Sequence, residues 1–307
     1  MKDSISDVLS PCNLCPRNCC ADRTAGGIGY CGQTVEIRAA RAGLHFWEEP
    51  CLSGKNGSGT VFFSGCNLRC VFCQNRDIAL GNQGMTISIT RLSEIFLELQ
   101  AKGAHNINLV TPTHYVPQIR LALQNAKKQG LTLPIVYNTG GYEKTSSLQL
   151  LDGLVDIYLP DLKYRSSAPA AKFSKAPDYF EYASRALLEM YRQVGDPVFD
   201  ESTGLMKKGM IVRHLLLPGQ AGEAKRVLRW LHDTFGDHVY VSIMNQYTPM
   251  PQLANEPSLE DIDRKVTEDE YARVLDFADR IGIRLGFCQE GETAKESFIP
   301  PFTGEGL

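Results

Sequence analysis

The 307-residue chain has almost no net charge: 32 Lys and Arg stand against 35 Asp and Glu, a formal −3. No basic run breaks that balance, so neither nucleic acid nor an anionic membrane surface is expected as a partner. No apolar stretch is long enough to span a bilayer, which excludes a membrane-spanning helix. The opening residues, Met1-Lys2-Asp3-Ser4-Ile5-Ser6-Asp7, carry no apolar signal region, and a cytoplasmic location is expected. Low-complexity tracts are absent, and no repeat is evident beyond a strand–helix period. What the chain has in quantity is cysteine, with ten residues. Without a secretory signal these read as reduced thiols that bind metal, in preference to disulfides. The 43 % hydrophobic content suffices for one large α/β domain plus an appendage.

Three of the thiols fall within eight residues, in Ser64-Gly65-Cys66-Asn67-Leu68-Arg69-Cys70-Val71-Phe72-Cys73-Gln74-Asn75. The short apolar run Thr60-Val61-Phe62-Phe63 leads into them and reads as a buried strand. The cysteines therefore sit where a strand's C-terminal end opens into a loop, the place where α/β folds hold their chemistry. Thiolates at this spacing can share one soft metal centre, and a [4Fe–4S] cluster is the usual occupant of all-cysteine sites. Three thiolates leave the fourth iron open to a ligand or substrate. A structural zinc loop is the alternative, and it would want a fourth ligand nearby.

A second group lies at Cys12-x2-Cys15-x3-Cys19-x11-Cys31, with Gly26, Gly27, Gly29 and Gly32 available for tight turns. Few apolar residues accompany it, so a metal would supply the stability that a core of its own cannot. Structural zinc, an auxiliary iron–sulfur cluster and no metal at all are the open readings. Cys20, next to Cys19, is the expected spare; Cys51 could substitute as a ligand but reads first as a small buried hydrophobe. Residues 33–58 form a connector in which Val35–Ala39 alternates like a half-exposed strand. His45-Phe46-Trp47-Glu48-Glu49-Pro50 could line a site, but its aromatics are expected to pack the N-terminal segment onto the main domain.

From Gly59 on, strand and helix alternate six times. Strand cores are expected at Thr60–Ser64, Ile107–Thr111, Pro134–Asn138, Asp156–Leu159, Ile211–Leu217 and Val239–Met244. Helices are expected at Arg91–Lys102 (capped by Thr90), Pro117–Gln129, Tyr179–Val194, Glu223–Phe235 and Glu268–Ile281, and a seventh apolar run at Ile283–Phe287. Six βα units suit an α/β fold with an incomplete (βα)6 barrel. The expected division is a Cys-rich segment 1–55, a barrel 56–287 and a tail 288–307. The strand tips then define the site: Thr111-Pro112-Thr113, Asn138-Thr139-Gly140, Asp161-Leu162-Lys163, Arg213 and Asn245-Gln246-Tyr247. Arg213 stands inside an apolar strand, where it must meet an anion or lose several kcal/mol. A ligand carboxylate would match its fork, and an internal pair with Asp161 or Glu143 is the other reading. His105, at the opposite end of its strand, is expected to be structural; Cys288 could be a fourth ligand or a redox-active thiol, and inert is the leading reading.

The C-x3-C-x2-C loop, with Phe72 just before the last cysteine, resembles the signature of the radical S-adenosylmethionine (SAM) enzymes. That resemblance implies the radical-SAM partial barrel, with the amino and carboxylate groups of SAM on the open iron. It also implies reductive cleavage of SAM to methionine and a 5′-deoxyadenosyl radical that abstracts hydrogen. Asn138-Thr139-Gly140, Asp161-Leu162-Lys163 and Val212-Arg213-His214-Leu215-Leu216-Leu217-Pro218-Gly219 are similar to segments of pyruvate formate-lyase activating enzymes. By that similarity Arg213 faces the methionyl carboxylate of SAM, and Asn138 and Asp161, beside Thr139 and Lys163, lie in its neighbourhood. Gln246 or Tyr247 takes the adenosyl side. The activating enzymes carry Gly-Gly-Glu where this chain has Thr111-Pro112-Thr113, so a hydroxyl or carbonyl replaces the carboxylate that binds the SAM ammonium. The Cys-rich N-terminus resembles uncharacterised homologues of those enzymes. A flavodoxin- or ferredoxin-type reductant is implied as partner, and a protein substrate is implied if the reaction installs a glycyl radical. An iron–sulfur electron carrier is the rival from another class; it would bind its cluster with four protein ligands. The loops Tyr164–Asp178, Asp196–Gly209 and Thr248–Val266 are candidates for lids over the site.

Overall fold

The computed structural model describes residues 5–81, 83–289 and 300–307. Its strands are β1 (Ile37–His45), β2 (Ser58–Phe63), β3 (Met85–Ile87), β4 (Ile107–Val110), β5 (Ile135–Thr139), β6 (Ile157–Pro160), β7 (Val198–Phe199), β8 (Met206–Leu215), β9 (Tyr240–Met244) and β10 (Gly286–Cys288). The sheet order is β10-β9-β8-β6-β5-β4-β2-β1-β3. All pairs from β2 to β10 along that path are parallel and follow chain order, as in a barrel wound in one direction. The six expected strands are present, and β10 adds a seventh parallel strand on β9, near the run expected at Ile283–Phe287. The fold is thus the expected α/β open barrel with a cysteine-rich N-terminal segment.

Alternation along the strands separates two cores. Leu109, Tyr137, Tyr158 and Val212 belong to the large cluster that meets the helices. Their neighbours Val136, Ile157, Leu159 and Ile211 turn into the barrel and pack on Cys51 and Leu52. Both faces are buried, which is why these strands read as unbroken apolar runs. Cys51 and Leu52 ride on a short helix, Pro50–Ser53, which plugs the barrel at the strands' N-terminal end. Asn106, just before β4, donates to Leu52 O at 2.8 Å. Gly54 ends the plug at φ +47, where a Cβ would meet His105 and Leu205 at 2.8 Å. His105 itself accepts from Asn56 N at 3.1 Å and is structural, as expected.

Several local expectations change. The strand expected at Val35–Ala39 runs instead over Ile37–His45 and pairs antiparallel with β2, so the connector belongs to the sheet. The aromatics expected to pack there do the opposite: Phe46 is 51 % and Trp47 55 % exposed, while Glu48 and Glu49 go inside. The cause is a buried cation, described below, whose attraction outweighs the apolar preference of the rings. The helix Ile89–Ala101 is capped by Ser88, whose hydroxyl accepts from Arg91 N, and not by Thr90. The three candidate lids are not structureless. They contain the helix Ser167–Ser174, the β7–β8 hairpin and two 3-10 turns, Pro251–Asn255 and Pro257–Ile262. Part of the expected tail, Glu290-Gly291-Glu292-Thr293 included, lies outside the described residues. Residues 300–307 return to β1, where Gly304 N donates to Ala40 O and Ala42 N to Glu305 O.

Candidate functional site

One cavity lies at the C-terminal ends of the parallel strands, and the loop after β2 forms one wall of it. Gly65 turns the chain at φ +88, and a Cβ there would meet Cys31 O at 2.6 Å. Beyond that turn Cys66, Cys70, Phe72 and Cys73 all line the cavity, and the three thiols are half-buried. Burial pushes Cys66 and Cys73 up to about 12, with the other loop thiols adding to the rise and Lys163 opposing it. Burial also raises Cys70, against Lys163 and a hydrogen bond from Ser174. A metal bound here would take these thiols as thiolates and release their protons. Among the described residues no three His, Cys, Asp or Glu side chains form a single-ion site. Three cysteines at this spacing could give one thiolate to each of three irons of a polynuclear cluster.

The second wall is polar. Thr111 holds φ +57, a left-handed conformation that is strained for a β-branched residue. Thr113 and Thr139 line the cavity, and their hydroxyls donate to Glu143 Oε1 at 2.6 and 2.5 Å. Tyr137 adds a longer contact at 3.4 Å. Burial raises the Glu143 carboxyl to about 7 in spite of these donors. With both hydroxyl protons committed to Glu143 Oε1, the two threonines offer only acceptors to the cavity.

Arg213 reaches the cavity from β8, but its fork is occupied. Nη1 donates to Glu48 Oε2 at 3.0 Å and Nη2 to Asn138 Oδ1 at 2.6 Å, while Nε lies 3.7 Å from Asp161 Oδ1. Glu48 Oε1 accepts from Asn108 at 2.8 Å and Asn138 at 3.4 Å. Internal pairing is therefore formed, chiefly with Glu48; Glu143 belongs to the threonine wall. Lys163 Nζ is 2.5 Å from Asp161 Oδ2 and lies 5.8 Å from the Phe72 ring centroid. Nearby acids raise the Lys163 ammonium although burial works against it. Gln246 lines the cavity, and its backbone carbonyl accepts from Gln74 at 3.2 Å. Tyr247 is buried behind Phe72, with ring centroids 6.4 Å apart, and its hydroxyl donates to Ile262 O.

Thr111, Thr113, Asn138, Thr139, Asp161, Lys163, Arg213 and Gln246 thus meet the three cysteines around one space, and Tyr247 supports from behind. His45, Trp47 and Glu48 also line it, the less favoured of the two readings of that stretch. The signal for Glu48 was charge bookkeeping: an arginine buried in a strand needs an anion, and Glu48-Glu49 is an acidic pair beside that strand's barrel.

The N-terminal group has another character. Cys12 and Cys31 are buried, Cys15 half-buried, and Cys19 and Cys20 exposed. A Cβ on Gly29 would stand 3.2 Å from Cys31 Sγ and 3.5 Å from Cys19 Sγ, so both thiols close on that glycine. Burial acts to raise Cys19, but hydrogen bonds from Ala21, Tyr30 and Cys12 bring it below the usual thiol range. Arg23, fully buried, places Nη1 4.0 Å from Cys12 Sγ and 2.7 Å from His114 O. Cys20 Sγ donates to Asn18 O at 3.3 Å. Cys51 sits inside the barrel as a small apolar side chain.

No family model matches the chain. An uncharacterized protein of Methanocaldococcus jannaschii is 27 % identical over 289 residues, covering 91 % of this chain and 77 % of its own. Among solved structures, methylornithine synthase is similar at 16 % identity, covering 72 % of this chain and 60 % of its own, with a TM-score of 0.49. SuiB of Streptococcus suis, bound to its precursor peptide SuiA, is similar at 15 % identity over 74 % of this chain and 46 % of its own, with a TM-score of 0.47. The chain therefore spans about half the length of the solved structures it matches. No helix among the described residues is long and apolar enough to cross a membrane.

Proposed function

We propose that this chain is a radical SAM enzyme. Cys66, Cys70 and Cys73 would hold a [4Fe–4S] cluster, and the strand tips would hold SAM at its open iron. The observation that carries the reading is the convergence of three half-buried thiols on one cavity that no other cysteine among the described residues lines. A carrier with four cysteine ligands does not fit that count. When bound, the cluster and SAM supply one-electron cleavage and hydrogen-atom abstraction from a substrate.

The chain's own residues do the rest. Phe72, Leu68, Phe62, Val110 and Met244 give the cavity its apolar surface. Thr113 and Thr139 present oriented acceptors to an ammonium, in place of the missing acidic residue. Lys163, Asn138 and Arg213 face the carboxylate side, with Glu48 and Asp161 balancing the two cations. Gln246 meets the adenosyl side. Activation of a partner protein by a glycyl radical is the finer reading within this class, with a flavodoxin- or ferredoxin-type reductant and a cytoplasmic location. Cys12, Cys15, Cys19 and Cys31 are the place for a second metal, zinc or an auxiliary cluster.

Anaerobic reconstitution with iron and sulfide, followed by SAM and dithionite, tests the reading. The expected result is one four-iron cluster at the loop and 5′-deoxyadenosine as product. Production that persists at the wild-type rate in Cys66→Ala/Cys70→Ala/Cys73→Ala would overturn it.

A further inference from the structure

The three loop thiols are not equivalent. Cys66 Sγ accepts from an amide of its own loop, Leu68 N, at 3.4 Å, and Cys73 is likewise served by the Asn75 amide. Cys70 has a partner from elsewhere in the chain. Ser174 Oγ lies 3.0 Å from Cys70 Sγ, and the Tyr164 hydroxyl lies 2.8 Å from Ser174 Oγ. Ser174 is fully buried and Tyr164 nearly so, so water does not compete for these bonds. The position of Ser174 is itself fastened. Val71 N donates to Phe173 O at 2.9 Å, Arg69 N to Ser174 O at 3.4 Å, and Arg17 Nη2 to Ser174 O at 3.3 Å.

We infer that Tyr164 and Ser174 form a directed hydrogen-bond chain onto Cys70 that raises the reduction potential of the cluster. The inference rests on the cluster assignment proposed above. A ligating thiolate has no proton to give, so Ser174 must donate to sulfur and Tyr164 to Ser174. Each bond in such a chain polarises the next. Hydrogen bonds to cluster sulfurs draw off negative charge and favour the reduced form, which carries one electron more. Ser174 and Tyr164 touch neither iron nor substrate; they are positioning residues that act through Cys70.

Redox titration of the reconstituted full-length chain, followed by electron paramagnetic resonance and with iron measured alongside, is the test. Ser174→Ala should keep its iron and shift the midpoint to lower potential. Tyr164→Phe, which leaves Ser174 its proton, should shift it the same way by less. If Ser174→Ala loses iron, Tyr164→Phe decides alone. A midpoint equal to wild type in every fully loaded variant would overturn the chain and leave the cluster assignment standing. A wild-type protein that assembles no cluster at all would overturn both.

Discussion

The two cysteine groups are near mirror images in spacing, Cys12-x2-Cys15-x3-Cys19 against Cys66-x3-Cys70-x2-Cys73, yet their surroundings differ. The second leaves a strand buried along its whole length and turns its thiols onto a cavity shared with Lys163. The first lies on no strand. It closes around Gly29 and a buried arginine whose guanidinium goes to the carbonyls of Thr34 and His114. Spacing makes both groups metal-like; only the parallel sheet gives one of them a space for a substrate. The groups are also joined. Cys66 N donates to Cys31 O at 3.3 Å, and Arg69 Nη2 donates to Tyr30 O at 2.6 Å. The N-terminal segment is therefore a buttress of the Cys66–Cys73 loop.

The largest expected effect separates the groups by chemistry. Alanine at Cys66, Cys70 and Cys73 together should abolish loop iron and 5′-deoxyadenosine production, with circular dichroism still that of the folded barrel. Alanine at Cys12 and Cys15 should lower solubility or total metal first, which elemental analysis would show. If the second pair removes all loop iron from soluble protein, the assignment of separate ligand sets is wrong.

Next come the two buried arginines. Arg213 holds a carboxylate, Glu48, whereas Arg23 holds carbonyls. Arg213→Ala leaves Glu48 buried and uncompensated, which should destabilise the fold by about 3–5 kcal/mol in denaturant titration. Glu48→Gln in the same chain should recover part of that loss. An Arg213→Ala protein of wild-type stability that has lost SAM affinity would show instead that the fork is released to the ligand.

Much of this arrangement was legible in the residues, and the failures have physical causes. Helices Tyr179–Val194 and Glu268–Ile281 start and end where the apolar period does, because Gly195 and Gly282 terminate them. The site cysteines and strand tips were legible because parallel winding puts all tips on one side. The pairing of Glu48 with Arg213 was hidden because it spans 165 residues, and no local pattern carries that distance. Phe46 and Trp47 misled for the same reason: two carboxylates drawn to Arg213 set which side of that segment faces inward. Ser174 was equally silent, a serine at a helix end whose contact is with a loop 104 residues earlier.

A smaller effect concerns the threonine wall. Burial raises Glu143 from 4.5 to about 7, so its folded form prefers the neutral acid. The stability this lends is whole below pH 4.5 and is lost as pH rises through 7. The loss approaches about 3 kcal/mol at alkaline pH, taking 1.36 kcal/mol per pKa unit. Glu143→Gln cannot ionise and should flatten the stability profile between pH 5 and 8 on the pH scale of that shift. A wild-type profile already flat over that range would mean that the three hydroxyl donors offset burial in full.

The smallest effect probes the joint between the two cysteine groups. Arg17, from the first group, donates Nε to Asn67 O at 2.7 Å inside the second and Nη2 to Ser174 O at 3.3 Å. Nη1 donates to Lys175 O, and the guanidinium lies 4.1 Å from the Tyr30 ring centroid. These are bonds from one charged, planar group to three carbonyls on two loops, a geometry that a lysine cannot copy. Because the site is partly open to solvent, water can replace some of them, so Arg17→Ala should cost only about 1–2 kcal/mol. The informative readout is local. Amide hydrogen exchange should quicken in residues 66–73 and 173–175 while the barrel strands keep their protection. Arg17→Lys should resemble Arg17→Ala more than wild type. If exchange at the cluster loop is unchanged in both variants, the buttress is idle, and the two cysteine groups are as independent as their separate places in the chain first implied.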